Sequence, residues 1–336
     1  MEFYYAEPQT DLERLIGGHF HINAVGKIQP EDDKKLSILL DKLSPPPRTT
    51  VYINSSGGDV DAAMGIGRIF RSSWFSTSVG TMTFDYERDG CWVTNRVHNS
   101  GICYSAAALA YLGGRLRFLP EQFEFGVHQF SFKDPDLEKI GAAQIISARI
   151  STYLDEMGIR PEFAETAAAI PGSEILLLDR PQLTKLGLIT GGQTGVSWSV
   201  EARNKLLYVK GERDSLHGHQ KVMLCYAKGA GFQFWSVIES QGREAELTAF
   251  GLVEIVLNGE SERIDISGRC NRGVFGNYVN VFSDLTEPEA RKLAYSESFG
   301  VQIRFSREAP LFLGVSAMDT SDGNDKLVSF VENLSS

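Results

Sequence analysis

The amino-acid sequence predicts an α/β fold for residues 1–195 and a smaller β-rich domain for residues 196–336. Three observations carry that prediction. Strand-like apolar runs alternate with amphipathic helical runs at short intervals up to about Thr190, the rhythm of a largely parallel sheet. From about Trp198 the pattern changes to short alternating runs separated by turn residues. The length of 336 residues also exceeds the usual size of a single domain.

His19 to Ile28 reads as the first strand, with His19 and His21 as surface histidines on a half-buried segment, because no third ligand lies near enough for a metal site. Pro30 to Leu43 spaces Leu36, Leu39, Leu40 and Leu43 as a helix does, and Pro45–Pro47 stops it. Val51 to Ser55 is a buried strand, Ser56-Gly57-Gly58 a turn, and Asp59 to Arg71 an amphipathic helix. Phe75 to Val79 is the next strand. Between Gly80 and Gly101 lies an irregular insertion carrying Trp92 and His98. Gly101 to Tyr104 then leads to Ser105, which opens the alanine-rich helix Ala106 to Leu112. Phe125 to Gln129 is a short strand bearing His128. Pro135 to Met157 and Pro161 to Ala169 follow as helices, and Leu183 to Thr190 closes the half.

Composition excludes several functions. A net charge of −10 provides no basic stripe to displace counterions from a nucleic acid. No apolar window is long enough to span a bilayer, and Met1 to Gln9 lacks the basic start and hydrophobic core of a signal peptide, so the chain is expected to be cytoplasmic. Four scattered cysteines make neither a disulfide framework nor a CxxC metal pair. No cofactor is indicated.

The motifs that carry chemistry are a nucleophile, a base and amide donors. A serine at a helix start sits beside unpaired N–H groups and a partial positive charge, which stabilise a developing oxyanion. His128 supplies an imidazole at a strand end. Gly57 and Gly58 bring bare amides to a second turn. In this order, the strand ending Asn54-Ser55-Ser56-Gly57-Gly58-Asp59, the Gly101-x-x-x-Ser105 stretch and Val127-His128-Gln129 resemble the ClpP serine protease family, within the ClpP/crotonase superfamily. The resemblance spans roughly His21 to Thr190. It implies repeated ββα units and a serine hydrolase, most readily an endopeptidase, with Ser105 as nucleophile and His128 as base. Gly57 or Gly58, together with Ala106, would form the oxyanion hole.

The family takes its orienting acid just before the closing element, near Ile175, where this chain has no aspartate. Glu174 is the adjacent carboxylate and the first candidate. Asp179 is the other carboxylate, although Asp179-Arg180-Pro181-Gln182 reads as a helix cap. A pair with no acid, or one supported by water, stands ahead of Asp179 and behind Glu174. His98 is a rival base, and Lys133 or Lys139 would serve a serine–lysine pair of the kind that related signal peptide peptidases use.

The resemblance further implies a peptide or protein substrate, self-association through the helix after His128, and an unfoldase or regulatory partner. ClpP-like proteins include predicted periplasmic members, so a leader outside this sequence would move the chain there, and a Cys91–Cys103 bridge would then brace the approach to Ser105. Two rivals are a ClpP-fold scaffold that binds without turnover and a crotonase-type acyl-CoA enzyme, the latter opposed by the ordered Ser105 and His128.

In the second half, Lys205–Lys210, Lys221–Tyr226, Gly231–Ile238, Leu252–Leu257, Tyr278–Phe282, Val301–Phe305 and Leu311–Val315 are strand-like, and Asn258-Gly259 is a hairpin turn. A sandwich or barrel with accessory helices is expected. Thr286 to Glu289 is a capping box. His217-Gly218-His219 reads as a polar loop between strands.

Overall fold

The computed structural model describes residues 1–16, 19–85, 92–129 and 137–335. The fold is mixed α/β, with five sheets and ten α-helices among the described residues. The chain divides into two compact units, Met1–Gly192 and Gln193–Ser336.

In the first unit, β1 (Glu2–Ala6), β2 (His21–Val25), β3 (Thr50–Asn54) and β4 (Ser76–Val79) form one sheet in that order. β2, β3 and β4 pair in parallel, and β1 lies antiparallel on β2. Parallel strands are covered on both faces, and Val51, Ile53 and all four residues of β4 are buried accordingly. Helices α1 (Asp11–Ile16), α2 (Asp32–Leu43) and α3 (Val60–Ser72) fall between these strands. α3 starts where the sequence predicts, because the Asp59 carboxylate accepts the Ala62 N–H at 2.8 Å.

The described residues of the insertion after β4 include two paired strands rather than an irregular loop. β5 (Thr81–Asp85) and β6 (Asn95–Asn99) pair as an antiparallel hairpin, with Met82 opposite His98. A second sheet contains β7 (Ile102–Tyr104), β8 (Glu124–Val127) and β9 (Leu176–Leu177), with β7 and β8 parallel and β9 antiparallel to β8. α4 (Ala106–Leu112) follows β7, and all seven of its residues are buried. Its small side chains allow α3 to come close: a Cβ on Gly113 would lie 2.2 Å from the Gly67 carbonyl oxygen. α5 (Leu137–Glu156), α6 (Pro161–Ala168) and α7 (Arg180–Lys185) complete the unit. Asp179 caps α7 in a reciprocal box with Gln182.

The second unit has two antiparallel sheets. The larger runs β10 (Ser197–Arg203), β11 (Leu206–Ser215), β12 (Gly218–Ala227), β13 (Gly231–Glu239), β17 and β16, and the smaller β15, β14, β18 and β19. Their ranges are β14 (Leu252–Leu257), β15 (Glu262–Asp265), β16 (Asn271–Phe275), β17 (Tyr278–Asp284), β18 (Ser298–Arg304) and β19 (Leu313–Asp319). Both sheets and the helices α8 (Glu244–Ala249), α9 (Glu287–Ala294) and α10 (Asn324–Leu334) share one core that includes Phe234, Ile255, Phe299, Leu293 and Val331. Thr286 and Glu289 form the expected capping box on α9.

His219 is not in a loop. It lies on β12 after a two-residue turn, and its Nδ1 is 2.7 Å from the Asp214 carboxylate on β11. No helix among the described residues is long and apolar enough to cross a membrane.

Candidate active site

The site forms where β3 and β7 end side by side. Ser55, just past β3, donates its N–H to the Ile102 carbonyl at 2.8 Å and accepts the Tyr104 N–H at 3.0 Å. The Asn54 side-chain oxygen accepts the Ile102 N–H at 3.1 Å. The turn after β3 is thereby laced to the strand that delivers Ser105.

The two glycines of that turn have no room for side chains. Gly57 has φ of 90°, and a Cβ there would lie 2.8 Å from the Ser105 Cβ; Gly58 has φ of 141°, and its Cβ would lie 2.1 Å from the Ile28 carbonyl oxygen. Their amides differ. The Gly57 N–H is taken by Ser55 Oγ at 3.1 Å. Ile28 donates its N–H to the Gly57 carbonyl at 2.9 Å and accepts the Asp59 N–H at 3.1 Å. In a trans peptide the N–H points opposite the preceding C=O. Gly58 N–H therefore faces away from Ile28, and it has no hydrogen-bond partner among the described residues. Of the two glycines expected to donate, Gly57 is already engaged.

Ser105 occupies the strand-to-helix corner with φ of 55° and ψ of −125°, a conformation that costs a non-glycine residue on the order of 1–3 kcal/mol. Its N–H is held by the Gly126 carbonyl at 2.8 Å, and its hydroxyl makes no capping bond to α4. Ala106 follows at the first helical position, where the N–H has no intrahelical acceptor.

His128 lies one residue past β8, brought alongside by the parallel pairing of Tyr104 with Gly126. Its Nδ1 is 2.8 Å from the Gln129 carbonyl. A carbonyl only accepts, so Nδ1 carries the proton and Nε2 keeps its lone pair. Ser105, Ala106, Gly58 and His128 all line one cavity of about 570 Å³. Leu109, Ile150, Leu154 and Phe163 make its wall apolar, and Lys27 is its sole charged lining residue among the described residues.

Among the described residues no orienting acid belongs to this arrangement. Glu174 is exposed on the turn before β9, lies outside the cavity lining, and makes no bond to His128. Its backbone is committed to a local turn, with the Glu174 N–H on the Pro171 carbonyl at 2.9 Å. Asp179 is spent on the α7 cap. No carboxylate among the described residues pairs with His128.

The other candidates lie elsewhere. His98, on β6, has Nε2 2.8 Å from the Val79 carbonyl and does not line the cavity. His21 is a core histidine rather than a surface one, at 3% exposure against Tyr52 and Phe84. Burial, helped by the Arg96 charge, lowers its pKa to about 4. Cys103 is a free thiol, fully buried, with its pKa pushed up by that burial. Cys91 and Lys133 lie outside the described residues, as does the Lys139 side chain. Among the described residues no group of His, Cys, Asp and Glu is arranged to hold a metal.

Three contributors carry no local sequence signal. Ile28 meets Gly58 through a bridge between distant segments, Lys27 enters the lining beside it, and the group on His128 Nδ1 is a backbone carbonyl.

No protein-family model matches the chain, and no curated protein does. Among solved structures it is similar to a mutant of ClpP1 from Listeria monocytogenes, at 20% identity and a TM-score of 0.37, over 53% of this chain and 92% of that one. A likeness of that size bears on neither activity nor site.

Proposed function

We propose that the N-terminal unit is a serine hydrolase working by acyl transfer, in its substrate class a ClpP-like endopeptidase with repeated ββα units. One observation carries the proposal. Among the described residues, a serine held at positive φ, with no partner on its hydroxyl, shares a cavity with an imidazole and two amides that have no partner.

Ser105 Oγ attacks the substrate carbonyl while His128 Nε2 takes its proton. The oxyanion receives the N–H groups of Gly58 and Ala106, a donor of this kind contributing roughly 3 kcal/mol. His128 then protonates the leaving amine, and water repeats the sequence on the acyl-enzyme.

The Gln129 carbonyl keeps the imidazole in the productive tautomer but cannot neutralise the imidazolium as a carboxylate does. Slow turnover follows. The same feature favours a second reading, a ClpP-fold binding protein that no longer turns over. Self-association belongs to the proposal too, since Ile145 near the middle of α5 is 63% exposed.

A fluorophosphonate probe tests the assignment. Wild type is expected to label, and Ser105→Ala to lose the label completely; a label that persists on Ser105→Ala refutes it. Turnover of a simple ester or casein separates the hydrolase from the binding protein, which captures peptide unchanged.

A further inference from the structure

We infer that Ser55 is a positioning residue for this reaction, holding the amide donor of the glycine turn in register with the nucleophile. The inference rests on the hydrolase proposal for its chemistry, but its geometry is independent of it.

Ser55 is 2% exposed and faces in two directions. Its main chain grips β7 on both sides of Cys103, through the Ile102 carbonyl and the Tyr104 N–H, so it sets where the strand bearing Ser105 ends. Its side chain reaches forward along its own chain, and Oγ accepts the Gly57 N–H at 3.1 Å. The next peptide plane is held from the other side by Ile28.

Glycine at φ of 90° and 141° has wide freedom to rotate about these planes. The hydroxyl removes it for the plane before Gly57, and the Ile28 N–H for the plane after. Of the two bonds, the one from Ser55 is the side-chain one. It also withdraws Gly57 N–H from the cavity, leaving Gly58 N–H as the donor that the turn presents.

The test uses the full chain with Ser55→Ala and Ser55→Thr, the latter keeping the hydroxyl. Each variant is first checked for wild-type circular dichroism and melting. Ser55→Ala is expected to label with fluorophosphonate about tenfold more slowly, since part of a donor's contribution is lost. Its kcat on an ester should fall with KM unchanged, and Ser55→Thr should restore both. A purely structural role would lower the melting temperature and leave kcat per folded molecule as it was.

Amide hydrogen exchange resolved to Gly57 is a second readout that needs no activity. Gly57 should be protected in wild type and Ser55→Thr, and exposed in Ser55→Ala. Unchanged labelling by a folded Ser55→Ala, or Gly57 protection that survives the loss of the hydroxyl, overturns the inference. A wild type that does not label, with protection lost in Ser55→Ala, sinks the hydrolase proposal and leaves Ser55 as the residue that fixes the turn.

Discussion

At Ser105 and His128 the decisive facts are which atoms are already occupied. The Ser105 hydroxyl is not spent on a cap, His128 Nδ1 is spent on a carbonyl, and Glu174 is bonded to neither and lies outside the cavity lining. Glu174→Gln is therefore expected to keep the labelling rate within about twofold, since surface substitutions away from special features are nearly neutral. His128→Ala should abolish labelling; comparing the two rates checks the pairing. Gly58→Ala is a third case. A methyl 2.1 Å from the Ile28 carbonyl must displace the turn, and losing one oxyanion donor costs about 10²–10³ in kcat. The serine, the histidine and the glycine pair were legible in sequence because each is a side-chain identity at a characteristic place. The histidine's orienting group was not, because any residue at 129 supplies a carbonyl.

The three helices α3, α4 and α5 behind the site depend on close approach. Tyr153 of α5 donates its hydroxyl to the Leu109 carbonyl at 2.7 Å, and a Cβ on Gly67 would stand 1.8 Å from the Tyr153 hydroxyl oxygen. Gly67→Ala should then destabilise by about 1–3 kcal/mol through overpacking, despite the helix propensity it gains. Tyr153→Phe should lose about 1 kcal/mol with the buried hydrogen bond. Urea midpoints of both variants measure this. Element boundaries along β3, α3 and α4 are readable from periodicity and the Asp59 cap. β1 is less so: Phe3, Tyr4 and Tyr5 become a strand by pairing with Ala24, Asn23 and Ile22. The β5–β6 hairpin is hidden for the same reason, its strands being short, polar and defined by each other.

For the molecule as a whole, acid is the revealing perturbation. Glu13 is completely buried, paired with Arg96 at 2.7 and 3.0 Å and accepting the Thr94 N–H at 2.7 Å. The Arg96 hydrogen bonds hold its pKa at about 2 against an ordinary 4.5. That pair's stabilisation is complete above pH 4.5 and drains away as pH falls toward 2, on the order of 3 kcal/mol in total. His21 acts one window higher. Its pKa of about 4 means that the unfolded chain takes a proton below pH 6.5 which the folded chain refuses, so stability falls between pH 6.5 and 4. Denaturant midpoints should decline steadily from pH 6.5 to 2, and His21→Phe should flatten the upper part of that slope alone. Arg96→Met should cost about 3–5 kcal/mol at neutral pH by stranding the Glu13 carboxylate. None of this cluster was visible in sequence, where His21 resembles any strand histidine and Glu13 lies 81 and 83 residues from Thr94 and Arg96.

The complete enclosure of α4 has a consequence for how the site ages under heat. The backbone that carries Ser105 has no slack of its own, because every residue of its helix is interior packing, so it cannot soften ahead of the rest. On warming, reactivity should persist with little drift and then vanish in the same few degrees as the native signal of the N-terminal unit. The hydroxyl is in effect a reporter seated in the last part of that unit to let go.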